Sequence, residues 1–342
     1  MSLVTRVSGA LFVSMFSLSS IADVTKIPTK AGWSGFVGAT SGVNQYSSNL
    51  FVGNGSKDFG NQAVASLNEG PESESKAFLA PFFDFRYTLS KQKGQIFLGN
   101  LVQDAVRFDF TQQLGYRQEI DKMGLISGAF VFSGMPAEVW EDAYVVGTSR
   151  EATDRKSSGL RLAWEKIAGS QFGGNYTFRS IDVDNERNGE SAVSQNIITA
   201  TEQQQLQRSG KQHRIEVKYG IPISQSSLLT PSLQYLIRDF DGKAQSGETT
   251  SLQLNYTHFA QPYTLILNSF YGIRQNDVEN PIYDKSTDAE EYGVAATLFY
   301  SEVFNMKDWS LMLSTAYVKS ENEVSFHDME AVSATVGLLY NL

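Results

Sequence analysis

Seven arginines, Arg86, Arg107, Arg161, Arg179, Arg214, Arg238 and Arg274, recur through the middle of a 342-residue chain, nearly one per amphipathic segment. Each occupies the polar phase of its segment, so in a sheet they would share one face. A guanidinium stays charged throughout the physiological range and offers a fork of donors to carboxylates, phosphates and hydroxyls. Rows of guanidinium on one wall have two uses. With Asp84, Asp109, Glu165 and Glu216 they would make a lining that satisfies its own charges. As a basic track they would guide anionic or sugar-like solutes through a pore. The two readings are compatible.

The connection from Met135 to Ser158, the third long one, adds acids to this picture. Glu138, Glu141 and Asp142 sit beside Val139, Trp140, Tyr144, Val145 and Val146, an apolar run unusual for a solvated loop. Folded into a lumen, the acids would face the arginines as a constriction and set up a transverse field. Held at the rim, the same loop would pack on lipid or on a neighbouring loop.

Catalytic chemistry is less well supplied. His213 begins a segment, His258 ends one, and His327, in SENEVSFHDME, reads as a solvated loop histidine. Neither segment histidine has a serine two residues away, the spacing a hydrolase site on one strand face would need. Asp182 with Asp184, and Asp239 with Asp241, are acidic pairs that suit the entry to a turn. DVDNERNG opens like an oxygen-ligand calcium loop, but Arg187 stands where a glycine is required and Val193 where a glutamate is. The expectation is a protein that is not an enzyme and uses no cofactor and no metal.

The segments that carry the arginines alternate with period two. In VRFDFTQQLGYRQ, Val106, Phe108, Phe110, Leu114 and Tyr116 oppose Arg107, Asp109, Thr111, Gln113 and Arg117. About fourteen such segments follow one another from Trp33 to the C-terminus, with twelve and sixteen the neighbouring counts, and short connections alternate with long ones. The segments run to about ten residues, the length of a tilted membrane-spanning strand. Their polar faces carry charges that the core of a sandwich would reject. Aromatic residues gather at segment ends, as a membrane interface favours.

At the N-terminus, Arg6, an apolar run from Val7 to Leu18 and Ser20-Ile21-Ala22 read as a secretory signal peptide over residues 1–22, leaving 23–342 as the barrel. The formal net charge of −9 argues against nucleic acid as a partner, and the absence of cysteine removes thiolate chemistry.

With its leader, dyad-repeat strands, alternating loop lengths and a last strand ending in Tyr340 and Leu342, the chain resembles a Gram-negative outer-membrane β-barrel of porin-like type. It is also similar to a proteobacterial family known only as a domain of unknown function. The resemblance implies an all-β, transmembrane, antiparallel up-and-down barrel in the cell outer membrane, in contact with lipid and lipopolysaccharide. It further implies recognition of Tyr340 and Leu342 by the barrel-assembly machinery, and leaves both monomer and homo-oligomer open. The function expected is passive passage of small hydrophilic solutes, with a structural or adhesive surface barrel as the alternative and an outer-membrane hydrolase as the third.

Overall fold

A strand with one apolar and one polar face needs a different environment on each side, and a closed barrel in lipid supplies both while leaving no unpaired edge. The computed structural model describes residues 26–54, 63–100, 111–134 and 136–342. Fourteen of its strands form the barrel wall. They are β1 (Gly32–Ser48), β2 (Ser73–Leu89), β3 (Gly94–Asn100), β4 (Thr111–Ile120), β5 (Gly124–Ser133), β6 (Ala152–Glu165) and β7 (Phe172–Val183). The wall continues with β8 (Gly210–Tyr219), β9 (Ser227–Phe240), β10 (Gly247–Ala260), β11 (Tyr263–Asn276), β12 (Ala289–Ser301), β13 (Trp309–Asn322) and β14 (Met329–Asn341).

Each strand pairs antiparallel with its neighbours in sequence, and β14 closes the ring on β1, with Val37 opposite Tyr340 and Ser47 opposite Glu330. The Leu342 amide donates to the Gly35 carbonyl at 3.0 Å, so the last residue is held in the seam. Both ends of the wall, at Gly32 and Asn341, lie with the short connections, the shortest being residues 261–262 between β10 and β11. Residues 1–22, expected from the sequence to be a signal peptide, lie outside the described residues.

The outward face is predominantly apolar. Leu79, Leu160, Leu162, Leu233 and Leu252 are each more than half exposed, an arrangement that only lipid makes favourable. At the short-connection end, Trp33 packs on Tyr87, Phe172 on Tyr219, Tyr263 on Tyr300 and Trp309 on Tyr340, with ring centroids between 4.6 and 5.3 Å apart. Tyr271 opposite Tyr292 marks the far interface. Among the described residues no helix is long and apolar enough to cross a membrane.

Candidate functional site

Six of the seven sequence-selected arginines share the inward face; Arg107 lies outside the described residues. Register shows how they line up. Arg161 is opposite Thr177, Thr177 opposite Arg214, Arg214 opposite Leu236, Leu236 opposite Thr249, and Thr249 opposite Arg274. Residues opposed in this way point to the same side, so one transverse row crosses β6 to β11 and carries three guanidinium groups. A second row, toward the long connections, sets Arg179 opposite Gln212 and Gln212 opposite Arg238.

Neutral acceptors and a few acids hold these groups in place. Arg161 donates to the Thr177 hydroxyl at 3.3 Å. Arg238 donates to the Thr249 hydroxyl at 2.6 Å and to Asn276 Oδ1 at 2.9 Å. Arg274 donates to Asn322 Oδ1 at 2.6 Å and pairs with Glu291 at 3.3 Å. Arg86 is bidentate to Asp84, at 2.6 and 2.7 Å. Glu216 is buried and accepts from Asn175 at 2.6 Å, and Lys218 pairs with Glu165 at 2.8 Å. Arg117, placed inward by the sequence pattern but not singled out, donates from Nε to Gln95 at 2.8 Å.

The rest of the inner wall differs. Gly293, Ala295, Met312, Ala316, Gly337 and Gly38 take inward positions from β12 round to β1, and inside β1 and β2 the Phe36 and Phe82 rings lie 5.2 Å apart. The lumen is therefore uneven, with its arginine rows along β6 to β11, further charge at Arg86, Asp84 and Arg117 on β2 and β4, and small or aromatic side chains from β12 round to β1.

Above the wall, the long connections do not stand apart as solvated tips. Val64, Tyr144, Ala192, Ile198, Leu206, Ala244, Val324 and Phe326, contributed by five different connections, meet in one buried apolar cluster. Ile282 and Tyr283, from the connection between β11 and β12, pack against it. The connection at residues 184–209, the least core-like part of the sequence, supplies Leu206, which is fully buried, and two short helices, α1 (Glu190–Ser194) and α2 (Ala200–Gln204). Thr199 caps α2 reciprocally with Glu202, a pairing that the spacing Thr-x-x-Glu encodes. A short strand, Ala137–Trp140, extends the sheet from β6 and takes Phe51–Asn54 on its other edge.

Polar groups stitch this cap together. The Asp142 carboxylate accepts from the backbone amides of Tyr144, Gly189 and Ser191 at 3.0, 2.9 and 2.7 Å. Glu141 pairs with Arg187 at 3.6 Å, and Glu138 lies opposite Asp154. Arg150 donates to the Asn49 carbonyl at 2.7 Å with its guanidinium 4.2 Å above Trp140, and burial lowers its pKa to about 10. Asp142 and Glu141 thus bind the connection at residues 184–209.

His327 is the main departure from the sequence reading. It is 7 % exposed, not solvated. The short 3-10 turn Ser325–His327 carries Phe326 and His327 together into the cap, where Tyr144 Oη lies 3.2 Å from His327 Nε2 and accepts from Asn280 at 2.9 Å. Burial, with a smaller contribution from Arg274, lowers the imidazole pKa to about 3, and burial raises the Tyr144 and Tyr283 phenols.

The other histidines face outward. His213 bonds Tyr176 at 2.8 Å. His258 lies opposite Ser227, with Ser227 Oγ 2.8 Å from its Nδ1. This cross-strand serine and histidine escape a search along a single strand, but among the described residues no carboxylate or amide orients the imidazole, as a hydrolytic triad requires. Asp184 pairs with Lys156, Asp239 with Lys243 and Glu186 with Arg208, so one member of each acidic pair and the glutamate of the calcium-like stretch are bound to cations. Among the described residues no cluster of three metal-ligating side chains occurs.

No functionally curated protein matches this sequence. Among solved structures, the chain is similar to the monoaromatic hydrocarbon channel CymD, at 8 % identity over 96 % of this chain and 93 % of that one, with a TM-score of 0.47. A FadL homologue of Pseudomonas aeruginosa gives 8 % identity over 90 % and 88 %, with a TM-score of 0.39. OmpT, an outer membrane protein of Vibrio cholerae, gives 9 % over 90 % and 98 %, with a TM-score of 0.40. Likenesses of this size say nothing about what the chain carries or binds. A family match spans residues 32–341, from the first residue of β1 to the last of β14. This outer-membrane-type barrel belongs to the family described as "Protein of unknown function (DUF2860)".

Proposed function

We propose that the barrel spans the outer membrane of a Gram-negative cell and is a passive channel for small hydrophilic solutes, anionic ones above all. The transverse row Arg161, Arg214 and Arg274, with Arg179 and Arg238 beside it, carries this reading. Three of the five are bonded to neutral hydroxyl or amide oxygens, Arg274 having Glu291 as a further partner. A guanidinium held by neutral acceptors keeps its field, which focuses anions in a lumen with low-dielectric walls. Sugar-like solutes would use the same forked donors. The experiment is the reversal potential of the purified protein in a planar bilayer under a potassium chloride gradient. An anion-selective potential is expected, weakened by changing Arg161, Arg214 and Arg274 together to glutamine; a cation-selective or unselective wild type would overturn it.

A second reading, a structural or adhesive surface barrel without transport, draws on the cap, whose loops meet across the long-connection end. The same recording separates the two, because a structural barrel gives no stable conductance before or after the cap is loosened.

A further inference from the structure

The inner wall of β2 to β4 carries a cation outside the arginine rows of β6 to β11. Arg117 lies three residues from the short-connection end of β4, opposite Gln95. Its Nε donates to Gln95 Oε1 at 2.8 Å, and its Nη2 donates to the same oxygen. Gln95 is fully buried and donates in turn to Thr88 Oγ1 at 2.9 Å. These neutral partners fix the guanidinium plane without neutralising it. Nη1 has no acceptor among the described residues, and it is not one of the partnerless atoms closed to water. The side chain as a whole is half-buried.

An aromatic ring lies beside it. Phe97 is opposite Arg86 on one neighbouring strand and Gly115 on the other. A Cβ at Gly115 would come within 2.5 Å of Phe97 Cζ, so the ring rests across β4 where only glycine leaves room. Arg117 is the next inward residue after Gly115. Phe97 is half-buried, with one face on the wall and the other left to the lumen. Phe36 and Phe82 continue the apolar surface past the Arg86–Asp84 pair, Phe36 being opposite Asp84. We propose that Arg117 and Phe97 form a binding site for an aromatic monocarboxylate, with its ring on Phe97 and its carboxylate on Arg117 Nη1.

Charge and lining select this ligand. Arg86 and Arg117 bring two positive charges and Asp84, bidentate on Arg86, one negative, leaving a net charge of about +1 for a single anion to match. Glu119, the next inward residue on β4, acts on Lys93 in the short connection and makes no ion pair with Arg117 among the described residues. A plain hydrocarbon would strip water from Nη1 and return no acceptor. A polyol would find Thr88 and Gln95, the neighbouring neutral groups, buried and bonded to each other. A flat ring on Phe97 gains both buried area and the offset or edge-to-face contact that aromatic pairs favour.

Such a site rests on the channel reading only in needing a lumen that solutes enter; its occupancy is read on folded protein in detergent whether or not the barrel passes ions. The experiment is isothermal titration calorimetry of the full chain with benzoate, its neutral amide benzamide, and acetate. One benzoate is expected per chain, with benzamide and acetate each weaker by about tenfold or more, the scale of one charge-assisted bond or one buried ring. Arg117→Gln should bring benzoate down to the level of benzamide, and Phe97→Leu should bring it toward that of acetate, while heat-modifiable gel mobility reports an intact barrel. Equal binding of acid and amide would overturn the proposal, as would no heat with any ligand at millimolar concentration, or benzoate binding that survives Arg117→Gln. A barrel that binds benzoate but gives no conductance would overturn the channel and leave the site standing. If a variant does not fold, the comparison of benzoate with benzamide and acetate on the wild-type protein decides alone.

Discussion

The barrel wall and the loop cap use the same residue types in opposite ways. In the wall, apolar side chains such as Leu252, 61 % exposed, turn outward to lipid, while arginines occupy the inside, some with neutral hydrogen-bond partners and some, such as Arg86 and Arg274, also with carboxylates. In the cap, Leu206 and Phe326, both fully buried, turn inward to each other, and charges such as Asp142 are consumed in holding one loop to the next. The wall is stabilised by the solvent around it and turns its charges to the inside, where hydroxyls, amides and a few carboxylates hold them. The cap is stabilised by its own core, like a small water-soluble domain, and spends its charges on staying shut. On the proposed reading, one chain combines a lumen suited to anions with a mouth that its own loops cover.

The largest effect should come from emptying the cap's core. Phe326→Ala is expected to cost the cap about 3–5 kcal/mol, seen as faster hydrogen exchange at residues 190–206 with the amides of β9 to β12 unchanged; equal loosening of both regions would erase the distinction between them. Leu252→Arg does the converse. Placed toward lipid, it should cost the barrel about 2–4 kcal/mol in unfolding from bilayers, and cap exchange should hardly change.

Acid should separate the regions next. The folded pKa of His327 lies at about 3 against an ordinary 6.5, so the neutral imidazole is the form that the cap favours. Its contribution is complete above pH 6.5 and is lost as the pH falls toward 3, amounting to about 2 kcal/mol by pH 5. The groups that face it, Tyr144, Asn280, Tyr283 and Arg274, offer no anion to rescue the protonated ring. His327→Gln should flatten this dependence in a proteolysis assay of the loops; an unchanged acid profile would assign it elsewhere. The smallest effect is expected from Asp142→Asn, which keeps an acceptor but removes the charge shared by three amides. It should cost about 1–2 kcal/mol of cap stability, measured by the same proteolysis.

The wall was legible in sequence because lipid imposes one rule on every strand. Period-two alternation placed all fourteen strands and put Arg86, Arg161, Arg179, Arg214, Arg238 and Arg274 on the inner face. Where lipid makes no demand the rule fails: β1 runs on through Gln45 to Ser48, and β2 begins at Ser73, four residues of polar strand each that alternation does not mark. The cap obeys no period. Tyr144, Leu206 and Phe326 come from distant connections and are brought together only by closure of the ring, so His327 looked solvated among its polar sequence neighbours. Thr199 and Glu202 were the one local signal in that region, and they mark a helix start without saying what it packs against.

The most direct measurement compares single-channel currents of the wild type with those of the double variant Tyr144→Ala, Phe326→Ala in a planar bilayer under a potassium chloride gradient. A wall built for anions beneath a mouth built to close predicts small or infrequent wild-type openings and a severalfold larger conductance in the variant. The variant's reversal potential should be anion-selective and should lose that selectivity when Arg161, Arg214 and Arg274 become glutamine. A variant that conducts no more than the wild type, or one whose selectivity is indifferent to those arginines, would contradict it.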